Sequence, residues 1–245
     1  MELENIAKME YPGRIIIIGR DITGENEIAV YGITGRSPSS QARKLKFDGT
    51  RLLVQPTNKE ELKKGNPDLL IYPAIAGDPY KGLVISNGKQ TASIESCIKA
   101  GEEPFNVFKK GLDISEWQYE PDAPNYTPRI SGYIIPHGGS ALSIIKRSED
   151  GSPIRYDYNL ELEPGKGKFI ATYTGENKNP LPSFEGEPID VELKGKTPNE
   201  IADAVYEALG PRDVEKDFRV GVAAIFYNTN KNKWVVAVKN RCDLE

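Results

Sequence analysis

Arg14-Ile15-Ile16-Ile17-Ile18-Gly19 sets four β-branched apolar residues in a row between an arginine and a glycine. Such side chains lose rotamer freedom in a helix and pack well on a pleated surface, so the run reads as a strand. Side chains along a strand point alternately to its two faces. Four consecutive isoleucines therefore need apolar cover on both faces, and a sheet of that kind lies between other layers. Asp21 to Asn26 supplies turn residues, and residues 27–31 return as a second apolar strand, which makes a hairpin.

The same pattern predicts further strands at 51–54, 69–72, 82–86, 130–135, 141–145, 154–160, 168–173, 218–227 and 234–239. Ile94, Cys97 and Ile98 fall at helical spacing and predict a helix over 91–100 that ends near Gly101. A second helix is expected at 104–110, with Pro104 in its first turn. Thr197-Pro198-Asn199-Glu200 gives an N-cap, an N1 proline and a capping-box glutamate, and its helix runs on to Gly210. Residues 175–188, rich in Pro, Gly and Asn, form a loop. Strands and helices come in blocks and do not alternate. That order predicts an α+β fold with mainly antiparallel sheets flanked by helices, in a single domain over residues 1–245.

Composition narrows the function. A net charge of −4 argues against bulk nucleic-acid binding, so no nucleic acid is expected as partner. No apolar run approaches the ~20 residues of a membrane span, and the acidic N-terminus lacks the features of a signal peptide. No membrane partner and a cytoplasmic location are expected. Cys97 and Cys242 are far apart and form no Cys-x-x-Cys pair, so reduced thiols are expected. His137 is the single histidine, followed by Gly138-Gly139, and reads as an exposed turn residue. Its solitude excludes a multi-histidine metal site, and no metal or cofactor is expected. Nucleotide-binding glycine loops and a Gly-x-Ser-x-Gly elbow are missing too. Catalysis, if present, then falls to carboxylates, phenols, Lys or Arg, and backbone dipoles.

Four polar clusters are candidates. Tyr119-Glu120-Pro121-Asp122-Ala123-Pro124-Asn125-Tyr126-Thr127-Pro128-Arg129-Ile130 packs acids, phenols, an amide, a hydroxyl and a guanidinium into a loop stiffened by three prolines. It either holds a small polar ligand at a sheet or is a polar connection. Residues 32–44 follow a strand and carry Arg36, Ser37, Arg43 and Lys44 without an acid, the parts of a phosphate loop or of a solvated basic loop. Asn87-Gly88 precedes a helix, where a turn or an anion contact would each fit. Tyr72 at a strand end is a core phenol or an acid facing a pocket.

Together these clusters resemble the archaeal-type IMP cyclohydrolases and their bacterial relatives. The matching pieces are Pro12-Gly13-Arg14, Tyr31 through Arg36-Ser37, Ile71-Tyr72, Val84-Ile85-Ser86-Asn87-Gly88, Tyr119-Glu120, Thr127-Pro128-Arg129-Ile130 and Ala171-Thr172-Tyr173. They run in order from about residue 11 to 175, and the Thr-Pro-Arg-Ile and Ser-Asn-Gly blocks are the most specific. The resemblance implies a four-layer αββα sandwich like that of the N-terminal-nucleophile hydrolases. The family has no nucleophile at residue 1, consistent with Met1. It also implies the last step of purine synthesis, the dehydrating closure of a formamidoimidazole carboxamide ribotide to inosine monophosphate.

On that resemblance Glu120 would move a proton from the carboxamide nitrogen, and Tyr72 would hydrogen-bond the formyl oxygen or leaving hydroxyl. Arg14, Arg36 and Ser37 would hold the 5′-phosphate. Asn87, Asn125, Thr127 and Arg129 would position the base and ribose. The chain departs from the family pattern at Gly32, where an arginine is expected after the tyrosine, and at Thr34-Gly35, where a serine pair is expected. A purine-nucleotide or ribotide-binding protein, or a divergent ribotide hydrolase on the same fold, is therefore the alternative. Family members assemble, and exposed strand edges would favour a homo-oligomer.

Overall fold

The structure is a computed structural model that describes residues 3–58, 60, 63, 66, 70–211 and 216–244. In chain order its strands are β1 (Arg14–Arg20), β2 (Glu27–Thr34), β3 (Arg43–Phe47), β4 (Leu52–Pro56), β5 (Tyr72–Asp78), β6 (Gly82–Ser86) and β7 (Arg129–Ile135). They continue as β8 (Gly139–Arg147), β9 (Pro153–Leu160), β10 (Lys166–Ala171), β11 (Ile189–Glu192), β12 (Arg219–Asn228) and β13 (Lys233–Asn240). The helices are α1 (Glu4–Ala7), α2 (Pro38–Gln41), α3 (Gln90–Ala100), α4 (Pro104–Gly111) and α5 (Pro198–Ala208). The fold is α+β. One sheet has six strands in the order β11-β10-β1-β2-β12-β13, and the other has seven, running β3 to β9 in sequence. Every pairing between these strands is antiparallel.

β1 lies inside the six-stranded sheet, and Ile15 to Ile18 are all fully buried. Burying each such side chain stabilises by roughly 1.5–3 kcal/mol. Their alternation is visible in what glycines leave room for. A Cβ at Gly132 of β7 would stand 2.6 Å from Ile18 Cδ1, so this face of β1 meets the second sheet. A Cβ at Gly32 would stand 2.6 Å from Ile15 Cγ1 and 3.2 Å from Leu209 Cδ1, so the other face meets the end of α5. The seven-stranded sheet alternates in the same way. Val84, Tyr133, Ala141 and Ile145 pack with Ile94, Ile98, Val107 and Phe108 of α3 and α4. Leu83, Ile85, Ile134 and Leu142 join the core shared with the first sheet.

Thr197 caps α5 as predicted, accepting from Glu200 N at 3.2 Å, while Glu200 Oε2 reaches back to Lys196 N at 2.8 Å and not to the cap residue. His137 is exposed in a turn. The strand expected at 69–72 is displaced. Residue 69 lies outside the described residues, as does Met1, and β5 begins only at Tyr72. β5 then runs through Pro73, Ala74, Ala76 and Gly77, residues of weak strand preference. Ala76 packs in the cluster under α3, where a larger side chain would hold the helix away. β3 went unpredicted because Arg-Lys-Leu-Lys-Phe reads as the tail of a basic loop. Its alternation is nevertheless real, with Arg43 and Leu45 buried and Lys46 exposed.

No helix among the described residues is long and apolar enough to cross a membrane.

Candidate active site

The start of β1, the end of β10 and the loop before β7 meet at Gly13. Its φ is +75°, and a Cβ there would stand 2.2 Å from Thr172 Oγ1 and 2.7 Å from the Tyr173 ring, so only glycine fits. Thr172 Oγ1 accepts from Arg14 N at 3.1 Å and donates to Pro12 O at 3.0 Å, which fixes the backbone under Arg14. Arg14 Nη2 then donates to both Glu120 oxygens at 2.9 Å. A second guanidinium, Arg129, stands 3.9 Å from Glu120 Oε1. Arg129 is held by Gln118 O at 2.7 Å and Gln90 Oε1 at 3.1 Å, and lies over the Trp117 ring. A Cβ at Gly88 would stand 2.9 Å from Arg129 Nη1 and 3.6 Å from Glu120 Oε1, so this backbone too passes close to the charges.

Arg14 and Glu120 line a cleft of about 280 Å³. One wall carries Arg36, Ser37, Ser39, Ser40 and Arg43. Arg36 Nη1 donates to Asn177 Oδ1 at 3.1 Å and Lys178 O at 3.0 Å, and its guanidinium lies over Tyr11. Ser37 caps α2, accepting from Ser40 N at 3.2 Å. Arg43 is 3% exposed. Its Nε donates to Ser40 O at 2.7 Å, and no carboxylate pairs with it among the described residues. Asn125, Thr127 and Tyr173 line the cleft as well, with Asp122 beside them. A larger groove of about 740 Å³ lies between α1, β10 and β11. Its charges are half-buried or exposed surface pairs such as Lys166–Glu163 at 2.7 Å, so buried charge, not size, singles out the smaller cleft.

The electrostatics separate the groups. Burial pushes the Glu120 carboxyl above its ordinary range, and the guanidiniums of Arg14 and Arg129 pull back without cancelling it. Burial works to lower Arg14, but Glu120 and the phenols of Tyr72, Tyr173 and Tyr31 outweigh it and hold its proton firmly. The mobile proton of the pair is thus Glu120's. Burial lowers Arg43, and the nearby positive Arg14 adds to that. Burial lifts the Tyr173 phenol to about 12.

Of the residues expected from sequence, Arg14, Arg36, Ser37, Glu120, Asn125 and Thr127 line this one cleft, and Arg129 adjoins it through Glu120. Asn125 Oδ1 accepts from Leu181 N at 3.0 Å. Tyr72 is 3% exposed and stands off the cleft wall, its hydroxyl 2.7 Å from that of Tyr31. Asn87 is fully buried. Its Nδ2 donates to Pro128 O at 2.9 Å, and its Oδ1 accepts from Ile130 N at 2.9 Å and Gln90 Nε2 at 3.0 Å, so it fixes the backbone around Arg129. Gly32 faces Ile15 and Leu209, on the side of β2 opposite Tyr31, so a side chain there would enter apolar core and not the cleft. Arg43, Asp122 and Tyr173 were not singled out by sequence. Arg43 sat within the basic stretch, Asp122 within the proline-stiffened loop, and Tyr173 in the Ala171-Thr172-Tyr173 block.

Fold and cleft define a two-sheet α+β protein whose cation-lined cleft surrounds a buried carboxylate. A family model described as IMP cyclohydrolase-like protein matches residues 11–232, and the chain belongs to that family. No curated protein matches the chain.

Proposed function

We propose that the protein is an IMP cyclohydrolase, closing 5-formamidoimidazole-4-carboxamide ribotide to inosine monophosphate with loss of water. The observation that carries this reading is the pairing, in one cleft, of the buried Arg43, which no carboxylate pairs among the described residues, with the buried Glu120. An unpaired buried cation is costly and is relieved by an anion. A phosphate monoester supplies one, and Arg36 with the serines of residues 37–40 adds donors beside it. Glu120 then lies where the rest of the ligand would reach.

Ring closure needs the carboxamide nitrogen to attack the formyl carbon. Holding both groups in one cleft makes the attack intramolecular in a fixed geometry. Glu120, poised above the ordinary carboxylate range, accepts the carboxamide proton. Arg14 orients Glu120 instead of spending its charge on phosphate. Arg129, Asn125 and Thr127 position the base and ribose. Tyr72 would serve the formyl oxygen only if the ligand reaches past the cleft wall. Its enclosure favours the second reading, a ribotide-binding protein without turnover. The two stacked sheets with α3 and α4 on one and α5 on the other fit a four-layer αββα sandwich of the N-terminal-nucleophile hydrolase kind. Mixing purified protein with the formamido ribotide and resolving inosine monophosphate by chromatography tests the reading. Product formation supports it, and tight product binding without turnover supports the second.

A further inference from the structure

We propose that Tyr173, Thr127 and Asp122 form a directed proton chain and that Tyr173 is a second proton acceptor of this cleft. Thr127 Oγ1 lies 2.5 Å from Asp122 Oδ2 and 2.5 Å from the Tyr173 hydroxyl. The threonine has one hydroxyl proton, and a carboxylate can only accept. Thr127 therefore donates to Asp122 and must accept from Tyr173. Asp122 is held for this by Thr127 N, which donates to its Oδ1 at 2.7 Å. Thr127 is fully buried, Tyr173 is 3% exposed and Asp122 is half-buried, so the hydroxyl at the centre of the chain is shielded from water. With its proton turned inward, Tyr173 offers the cleft oxygen lone pairs and no donor.

The inference rests on the cyclohydrolase reading for its chemistry. Closure moves two N–H protons onto one oxygen, which leaves as water. As the new C–N bond forms, the carboxamide nitrogen gives one proton to Glu120. As the C–O bond breaks and the ring C=N bond forms, the formamido nitrogen gives the other to Tyr173. Tyr173 passes its own proton to Thr127, and Thr127 passes its own to Asp122. The oxygen leaves with the proton held on Glu120, and the relay then runs back from Asp122 to Thr127 to Tyr173, so that Tyr173 gives the second proton to the departing hydroxide and every group ends as it began.

Asp122→Asn tests the direction with little change of shape. The amide nitrogen would donate to Thr127, Thr127 to Tyr173, and Tyr173 would then turn its proton into the cleft. The expected kcat loss is roughly 100-fold or more, the scale of a lost proton-transfer group. KM and inosine monophosphate affinity should change much less than kcat, because only the polarity of one hydrogen bond at Tyr173 is altered. Thr127→Ser should keep most of kcat and Thr127→Val should not. Wild-type kcat in Asp122→Asn, or equal rates in the two Thr127 variants, overturns the chain. A readout free of turnover is the Cζ resonance of labelled Tyr173, which should shift in Asp122→Asn. If the wild type closes no ring but this resonance moves, the cyclohydrolase reading fails and the chain stands. If the resonance stays put, the chain falls whatever the activity.

Discussion

At the scale of single residues, the cleft is a problem of charge taken out of water. Glu120 is raised by burial and lowered by Arg14 and Arg129. Replacing Arg129 by Gln removes one of the opposing charges, so burial acts less opposed and the carboxyl moves further up. The ionised base then appears at higher pH, and the acid limb of a kcat/KM–pH profile should shift to higher pH than in wild type. A limb that stays in place or moves down would exclude Glu120 as the titrating base. Arg43 makes the opposite case, a cation waiting for its anion. Arg43→Gln should weaken inosine monophosphate binding about tenfold or more, the scale of a lost charged hydrogen bond. The ligand-free melting temperature should not fall, because the buried charge removed has no carboxylate partner among the described residues. Calorimetry with and without nucleotide separates the two effects. The sequence showed the residue types at this scale but not their pairing. Glu120 stood out as an acid in a stiff loop, whereas its partner Arg14 is 106 positions away and meets it only through the fold.

At the scale of elements, legibility followed periodicity. β1, α3 and α5 were readable because isoleucines, helical spacing and a Thr-Pro cap state their own geometry. β5 was not, since its small residues answer to the helix packed on them and not to strand preference. β3 shows a second tertiary cause. It forms an edge of its sheet, and the side chain of Asn240 closes that edge. Leu45 N donates to Asn240 Oδ1 at 2.8 Å, and Asn240 Nδ2 donates to Leu45 O at 3.0 Å, so the amide stands in for one residue of a neighbouring strand. Asn240→Ala should therefore cost about 1–3 kcal/mol through buried peptide groups left unpaired, measured by denaturant unfolding. It should also loosen β3, which carries Arg43 at its first position, and so weaken nucleotide binding. A variant as stable as wild type would show that water satisfies the edge.

At the scale of the whole molecule, two sheets share one core, and the cleft opens where β1, β3 and the loops before β7 and after β10 converge. The α+β class and antiparallel pairing were legible because strand and helix blocks are segregated. The convergence was not, because it depends on which strands of different sheets face each other. Gly32 illustrates the limit. By sequence it was a missing arginine, but in the fold it is the space Ile15 and Leu209 require. The most direct measurement is formation of inosine monophosphate from the formamido ribotide by wild type and Glu120→Gln side by side, with product affinity measured on both. Turnover by wild type that falls roughly 100-fold or more in the variant, at similar product affinity, is the predicted result. Wild-type turnover left unchanged by Glu120→Gln, or no turnover by wild type at all, would contradict it.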